Sequence, residues 1–251
     1  MPQAGIVVGC DAEQECLLPW WWHHYSATNS YPVLFIDFGM SEKARRWCQK
    51  RGLYAPLQRP QEFVQKSVAP EKKQKWETSF PAVFDARGAF FKKPFAILQS
   101  PFFYTLWIDL DCQVLGSLEP IFHFLHLGCE ISLRVNPQSL IACIDPELLV
   151  PSEQTSYNSG VIACRQDGTV IKAWTEEIFE NNHKYIGDEN ALSYVISRLN
   201  PFVLELPLCY NWSPFFGPNP QAVIVHYQGN FKNDLFRSLK ITGKPTPSFS
   251  S

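Results

Sequence analysis

The sequence has no apolar run that approaches the length of a membrane-spanning helix, so only peripheral contact with a bilayer stays open. It has no long basic run, and 22 Lys and Arg against 24 Asp and Glu give a formal charge of −2. The electrostatic footprint of a nucleic-acid binder is therefore missing. It has no C-x-x-C pair: eight cysteines (Cys10, Cys16, Cys48, Cys112, Cys129, Cys143, Cys164 and Cys209) stand singly, which supports neither a zinc site nor a redox motif built on such pairs. An even count in a secreted chain would suggest disulfides. Residues 1–5, however, lead straight into an apolar segment without the pattern of a signal peptide, so the expectation is reduced thiols in a cytoplasmic protein. No internal repeat is visible.

What is there is a well-packed composition: 45% hydrophobic and 18% charged, with 8 Trp, 19 Phe and 9 Tyr in 251 residues. Such a chain buries one sizeable core and is not disordered over most of its length. The expected organisation is a single domain over residues 1–242 and a flexible, Pro/Ser-rich tail over 243–251.

One stretch organises the rest. Residues 102–111 read FFYTLWIDLD, an unbroken apolar run that stops on two carboxylates one residue apart, Asp109 and Asp111. A short apolar run with aromatic and β-branched members predicts a strand buried on both faces of a sheet. A carboxylate inside such a strand would be desolvated, so the two acids belong where the strand ends and the sheet opens to solvent. In open α/β sheets that edge binds ligands. Alternation along a strand lets residues 109 and 111 face one point while Leu110 faces the core. Two carboxylates with no nearby Lys or Arg in sequence repel unless a cation lies between them, and a hard divalent ion, Mg²⁺ or Mn²⁺, suits oxygen ligands. A pair of solvated turn aspartates is the plain alternative. Position favours the first reading, because residues 114–118 resume the fold directly afterwards.

Around this strand the chain alternates β and α. Residues 5–11 form a short strand ending in Gly-x-Asp, without the G-x-G-x-x-G of a dinucleotide site. A helix follows over 13–29 with Trp20, Trp21 and Trp22, which cannot all face one side, so at least one reaches an exposed or ligand-facing surface. Adjacent His23 and His24 point to different faces and make a poor metal pair. Residues 32–37 are a second strand, and Ser41 caps a helix that Gly52 closes. The polar stretch 56–81 reads as loop or solvated helix. A helix over 87–95 carries Lys92, Lys93 and Pro94, the proline marking a break. His123 and His126 share one face of a helix over 118–127; that suits a metal pair or a half-buried amphipathic helix, and the second is preferred. Strands are expected over 130–135, 140–144, 157–164, 202–206 and 222–225, the last ending on His226. Helices are expected over 169–181 and 191–197. Asp188, Glu189 and Asn190 open the latter with more polar groups than capping requires.

Taken in order, several segments resemble glycosyltransferase family 8: the opening strand with Gly-x-Asp, the Lys-Pro helix, D-x-D, then Y-N-S-G-V from Tyr157, D-E-N-A-L from Asp188, L-P-x-x-Y-N from Leu206 and H-x-x-G-x-x-K from His226. The likeness spans roughly residues 5–232. It implies the GT-A fold, a mixed and mostly parallel Rossmann-like sheet flanked by helices, and transfer of a hexose from a nucleotide sugar, a UDP-sugar, with retention at the anomeric carbon. It implies Mn²⁺, or Mg²⁺, on Asp109, Asp111 and His226. Gly229 and Lys232 fall at the donor diphosphate, Asp11 at the base, and Arg87, Asn158 and Asp188 at the donor sugar. Asp188 and Glu189 are the catalytic candidates. The chain departs from the family in two places: Glu189 stands where Gln is common, and Lys232 is followed by Asn233 and Asp234 instead of Pro-Trp. The acceptor, a carbohydrate, glycolipid or protein, is not readable.

Two other readings compete. A sugar-nucleotide pyrophosphorylase shares a related fold but carries a Gly- and basic-rich signature after the first strand, where this chain has the acidic GCDAE. A degenerate member that binds a nucleotide sugar without turnover is the other, since fold and motif do not prove activity.

Overall fold

The computed structural model describes residues 3–58, 63, 65–137 and 155–239. The strand expected over 140–144, Cys143 and the tail over 243–251 lie outside the described residues. In chain order the elements are β1 (Ala4–Cys10), α1 (Leu18–Thr28), β2 (Val33–Asp37), α2 (Glu42–Gln49), β3 (Leu53–Pro56), α3 (Pro70–Ser79), α4 (Pro81–Phe90), α5 (Lys93–Leu98), β4 (Tyr104–Ile108), β5 (Cys112–Val114), α6 (Glu119–His126), β6 (Ile131–Val135), β7 (Tyr157–Arg165), α7 (Val170–Asn181), α8 (Asp188–Leu199), β8 (Val203–Glu205), β9 (Ile224–His226) and α9 (Asn230–Ser238).

A seven-stranded sheet has the order β3-β2-β1-β4-β7-β6-β8. All pairs are parallel except those of β7, which runs against both β4 and β6. The apolar run thus lies in mid-sheet, and its alternation feeds both faces. Leu106 and Ile108 join Ile6, Val8, Trp21, Trp47 and Phe122 on one side. Trp107 joins Val7, Phe95, Trp174 and Leu192 on the other. Each large side chain buried this way contributes about 1.5–3 kcal/mol. β5 and β9 form a separate antiparallel ribbon, with Cys112 opposite His226.

Several expectations need correction in detail. β4 stops at Ile108, and Asp109 begins a turn in which the Cys112 N–H donates to the Asp109 carbonyl at 3.0 Å. Strand alternation therefore does not orient the two acids. The helix expected over 87–95 is two helices, because Pro94 sits in the first turn of α5, where its missing N–H costs nothing. α8 starts at Asp188, three residues before the expected start, so its acids belong to the first turn. The charged run within 56–81 is helical, in α3. Of the three tryptophans, Trp21 is buried, while Trp20 and Trp22 are half-buried. Ser41 caps α2 as expected, accepting from the Ala44 N–H at 3.2 Å. Among the described residues, seven cysteines are free, and no helix is long and apolar enough to cross a membrane.

Candidate active site

The end of β4, the start of β7, the first turn of α8 and the ribbon meet at one edge of the sheet. Because β7 is reversed, its first residues Tyr157 to Gly160 lie where β4 finishes, and the Asp109 N–H donates to the Gly160 carbonyl at 2.9 Å. Asp109 accepts from the Trp107 indole N–H at 2.6 Å and from Lys93 Nζ at 3.1 Å. Lys93, buried in α5, also reaches Asp188 Oδ2 at 3.1 Å and the Ser159 hydroxyl at 2.9 Å. Ser159 in turn donates to Asp188 Oδ2 at 2.7 Å. One ammonium thus serves two carboxylates on different elements. Burial opposes the charge on Lys93, but Asp109, Asp188 and Glu189 outweigh it and raise its pKa.

Asp111 faces other partners. His226 Nε2 lies 3.5 Å from its Oδ1 and Lys232 Nζ, from α9, 3.2 Å from its Oδ2. Burial pushes the Asp111 carboxyl up, yet Lys232 and His226 overcome this and hold it well below the usual carboxylate range. For Asp109 burial is also the largest influence; Lys93 opposes it, the charge of Asp111 adds to it, and the net direction is upward. The two acids of the D-x-D are thus split in acidity by their surroundings. The Lys232 ammonium also donates to Gln14 Oε1 at 3.1 Å and feels the charge of Asp11.

The tautomer of His226 follows from a chain of amides. Asn158 Oδ1 accepts from the Gly160 N–H at 3.0 Å and from Asn211 Nδ2 at 2.8 Å. That leaves Asn211 Oδ1, an acceptor only, facing His226 Nδ1 at 3.0 Å. With Nδ1 donating to Asn211, Nε2 is turned toward Asp111, to share a proton with it or to give a lone pair to a metal ion. This orientation by an outer hydrogen bond suits metal ligation. Gly160 makes the arrangement possible: a Cβ there would stand 2.1 Å from His226 Cε1. An imidazole of the protein itself fills the space at Gly160.

Asn158 spends its two donor bonds on Glu189 Oε1 and Gln228 Oε1, each at 2.8 Å, and Glu189 also accepts from the Ser159 N–H at 3.1 Å. Burial, with Asp188 beside it, raises the pKa of Glu189. Both acids of α8 lie at a helix N-terminus, which favours their charge.

The structure brings together Asp109, Asp111, Asn158, Asp188, Glu189, His226 and Lys232. Gly229, with φ 62°, caps α9 in a conformation that suits only glycine and sets Lys232 in the first turn. Asp11 caps the turn after β1, accepting from the N–H groups of Glu13 and Gln14 at 3.1 Å each. Arg87 is buried and directs its guanidinium to the carbonyls of Tyr185 and Asn182 at 2.8–3.1 Å, bracing the segment that leads into α8. Sequence reasoning did not single out Trp107, Ser159, Asn211 or Gln228 as site residues, and it gave Lys93 no role beyond its place in the Lys-Pro helix.

Three donors, Asp111, Cys112 and His226, lie within 4.8 Å of one another. Asp109, held by Trp107 and Lys93, is not among them. Asp109, Asp111, Asp188 and Glu189 outnumber Lys93, Lys232 and Arg134, the cations that act on them. A divalent cation would offset that excess, and carboxylate with imidazole is a donor set that Mn²⁺ accepts.

No protein-family model matches the sequence, and no curated protein matches it. Solved structures do. The galactosyltransferase LgtC in complex with donor and acceptor sugar analogues is 14% identical, with a TM-score of 0.59 over 97% of this chain and 98% of that one. An active-site mutant of LgtC is 13% identical, with a TM-score of 0.57 over the same shares. Mouse xyloside xylosyltransferase 1 in its apo form is 10% identical, with a TM-score of 0.54 over 91% of this chain and 98% of that one. Likeness at this level of identity is a likeness of architecture, and it agrees with the sheet order and the single reversed strand: the chain has the GT-A glycosyltransferase fold.

Proposed function

We propose that the chain is a glycosyltransferase that moves a hexose from a UDP-sugar to an acceptor with retention, carried by one domain over residues 1–242. One observation carries the reading: acids from the end of β4, an imidazole from β9 and an ammonium from α9 converge at the ligand-binding edge of this fold. A Mn²⁺ or Mg²⁺ ion on Asp109, Asp111 and His226 would stabilise the negative charge that grows on the departing diphosphate. Lys232 supplies a further positive charge there, on a side chain three-quarters buried, so that its field is little screened. The backbone at Gly229 admits close approach of the phosphates, and Asp11 meets the base.

Asp188 grips the donor sugar directly, with Arg87 and Asn158 acting by position. Arg87 fixes the segment before Asp188, and Asn158 fixes Glu189 and Asn211. As the sugar–phosphate bond breaks, positive charge develops on the ring, and Asp188 and Glu189 face it with carboxylates. Glu189 can act as a nucleophile, its carboxylate attacking the anomeric carbon as the diphosphate leaves. An acceptor hydroxyl then displaces it from the same face as the original bond, its proton passing to the departed diphosphate. The alternative is same-face attack by the acceptor with Glu189 only stabilising the positive charge. Trapping of a glycosylated peptide containing Glu189 supports the covalent step, and full activity in Glu189→Gln rules it out.

Calorimetry with UDP and Mn²⁺, followed by hydrolysis assays on UDP-glucose, UDP-galactose and their N-acetyl forms, tests the whole reading. Heat of binding and turnover of one sugar are expected; absence of both overturns it. A binder without turnover is favoured by one observation, that Asp109 already satisfies Trp107 and Lys93. Binding of UDP with no sugar hydrolysed selects that reading.

A further inference from the structure

The residue after the D-x-D is Cys112, and the pairing of β5 with β9 sets it directly opposite His226. Cross-strand partners project to the same side of a ribbon, so sulfur and imidazole share a face. The Cys112 thiol is buried at the margin of the hydrophobic core and makes a weak hydrogen bond of 3.8 Å to the Gly160 carbonyl. Its sulfur, a carboxylate oxygen of Asp111 and a ring nitrogen of His226 all lie within 4.8 Å of one another. Between Asp111 Oδ1 and His226 Nε2 the separation is 3.5 Å, close to the edge of a tetrahedron whose bonds are about 2.0–2.1 Å. Thiolate, imidazole and carboxylate form a three-donor set typical of zinc and far softer than the oxygen shell Mg²⁺ demands.

We propose that this centre binds a thiophilic divalent ion, Zn²⁺ above all, through Asp111, Cys112 and His226, and that such an ion displaces Mn²⁺. The proposal rests on Asp111 and His226 being metal ligands, as in the reading above, and adds Cys112. Binding would release the thiol proton to solvent. An ion held on Asp111 and His226 would take the place of Mn²⁺, so Zn²⁺ would compete with it and inhibit, without a separate regulatory site.

The test uses the full chain and its Cys112→Ser and Cys112→Ala variants, each checked for an unchanged circular dichroism spectrum and melting curve. Co²⁺ added to the wild type is expected to give a sulfur-to-cobalt charge-transfer band in the near ultraviolet that both variants lack. Zn²⁺ affinity, by calorimetry, is expected to fall in both variants by more than the roughly 10–100-fold typical of losing an outer-shell partner, while Mn²⁺ affinity holds. Calorimetry in two buffers of different ionisation enthalpy is expected to show one more proton released by the wild type. A cobalt spectrum without the band, or Zn²⁺ affinity unchanged in the variants, overturns the role of Cys112 and leaves the Mn²⁺ reading standing. Failure of both Mn²⁺ and Co²⁺ to bind overturns the metal centre itself, and this inference with it.

Discussion

Two parallel strands of this sheet lead into aspartates, and the two ends are finished differently. At the end of β2, Asp37 is fully used: its Oδ1 accepts from the N–H groups of Gly39 and Met40 at 2.7 and 2.6 Å. Its Oδ2 meets the Tyr54 hydroxyl at 2.7 Å and pairs with Arg45 at 2.8 Å. Hydrogen-bond donors close that end. At the end of β4, Asp109 is held by the Trp107 indole and Lys93, while Asp111 meets the Lys232 ammonium and the His226 ring. A carboxylate closed by backbone N–H groups locks a loop, whereas one paired with an ammonium and an imidazole can exchange them for a ligand. Location at the sheet edge alone would not have told them apart.

Substitutions should separate the two ends. Asp111→Asn is expected to lower kcat/KM for donor hydrolysis by about 10²–10³-fold or more, the scale of losing one charge-stabilising group. A variant that keeps full turnover would break the contrast. Gly160→Ala is expected next: its Cβ displaces the His226 ring, weakening Mn²⁺ binding by at least about 10-fold and costing about 1–3 kcal/mol of stability. Calorimetry and chemical denaturation read the two effects separately. Asn211→Leu removes the acceptor that fixes the proton on His226 Nδ1, and roughly 10–100-fold of Mn²⁺ affinity is expected to go with it.

Asp37→Asn is the smallest and of a different kind: about 1–3 kcal/mol of stability, with turnover per folded molecule kept. It carries a pH signature. Burial pushes the Asp37 carboxyl up, but Tyr54, Met40, Gly39 and Arg45 together hold it below its ordinary value. A group depressed on folding contributes stability above its unfolded pKa, about 3.9, and loses it as pH falls through the folded value. The gap between wild type and Asp37→Asn in urea denaturation is therefore expected to be full at pH 7 and to close below about pH 4. A gap that widened on acidification would show that Asp37 is not the locked end.

Much of the frame was legible in the sequence because it rests on periodicities. The continuous apolar run of β4 announced a strand covered on both faces, and Ser41 announced a helix start. Asp109, Asp111, His226 and Lys232 stood out through the order of their motifs. The division of labour within the D-x-D was not legible, since it depends on Lys93, sixteen positions upstream, and on a strand that ends one residue before Asp109. Trp107 could be read only as core, for nothing local indicates that its indole N–H turns to the next carboxylate on the same side. Asn211 and Gln228 gain their meaning from partners that topology chooses. Cys112 did leave a signal, a thiol abutting the acidic pair, but a tally of cysteine spacings does not weigh neighbours of another type.

Reversal of β7 has a consequence for recognising distant members of this architecture. A forward strand delivers its chemistry as it exits the sheet, so greasy residues come first and polar ones last, as in residues 102–111. β7 delivers its chemistry on entry, so Asn158, Ser159 and Gly160 precede Val161 to Cys164. The order of wet and dry letters in a short segment thus reports which way it threads past the polar rim of the sheet. One antiparallel member is enough to let two strands side by side both contribute to that rim without either leaving the sheet.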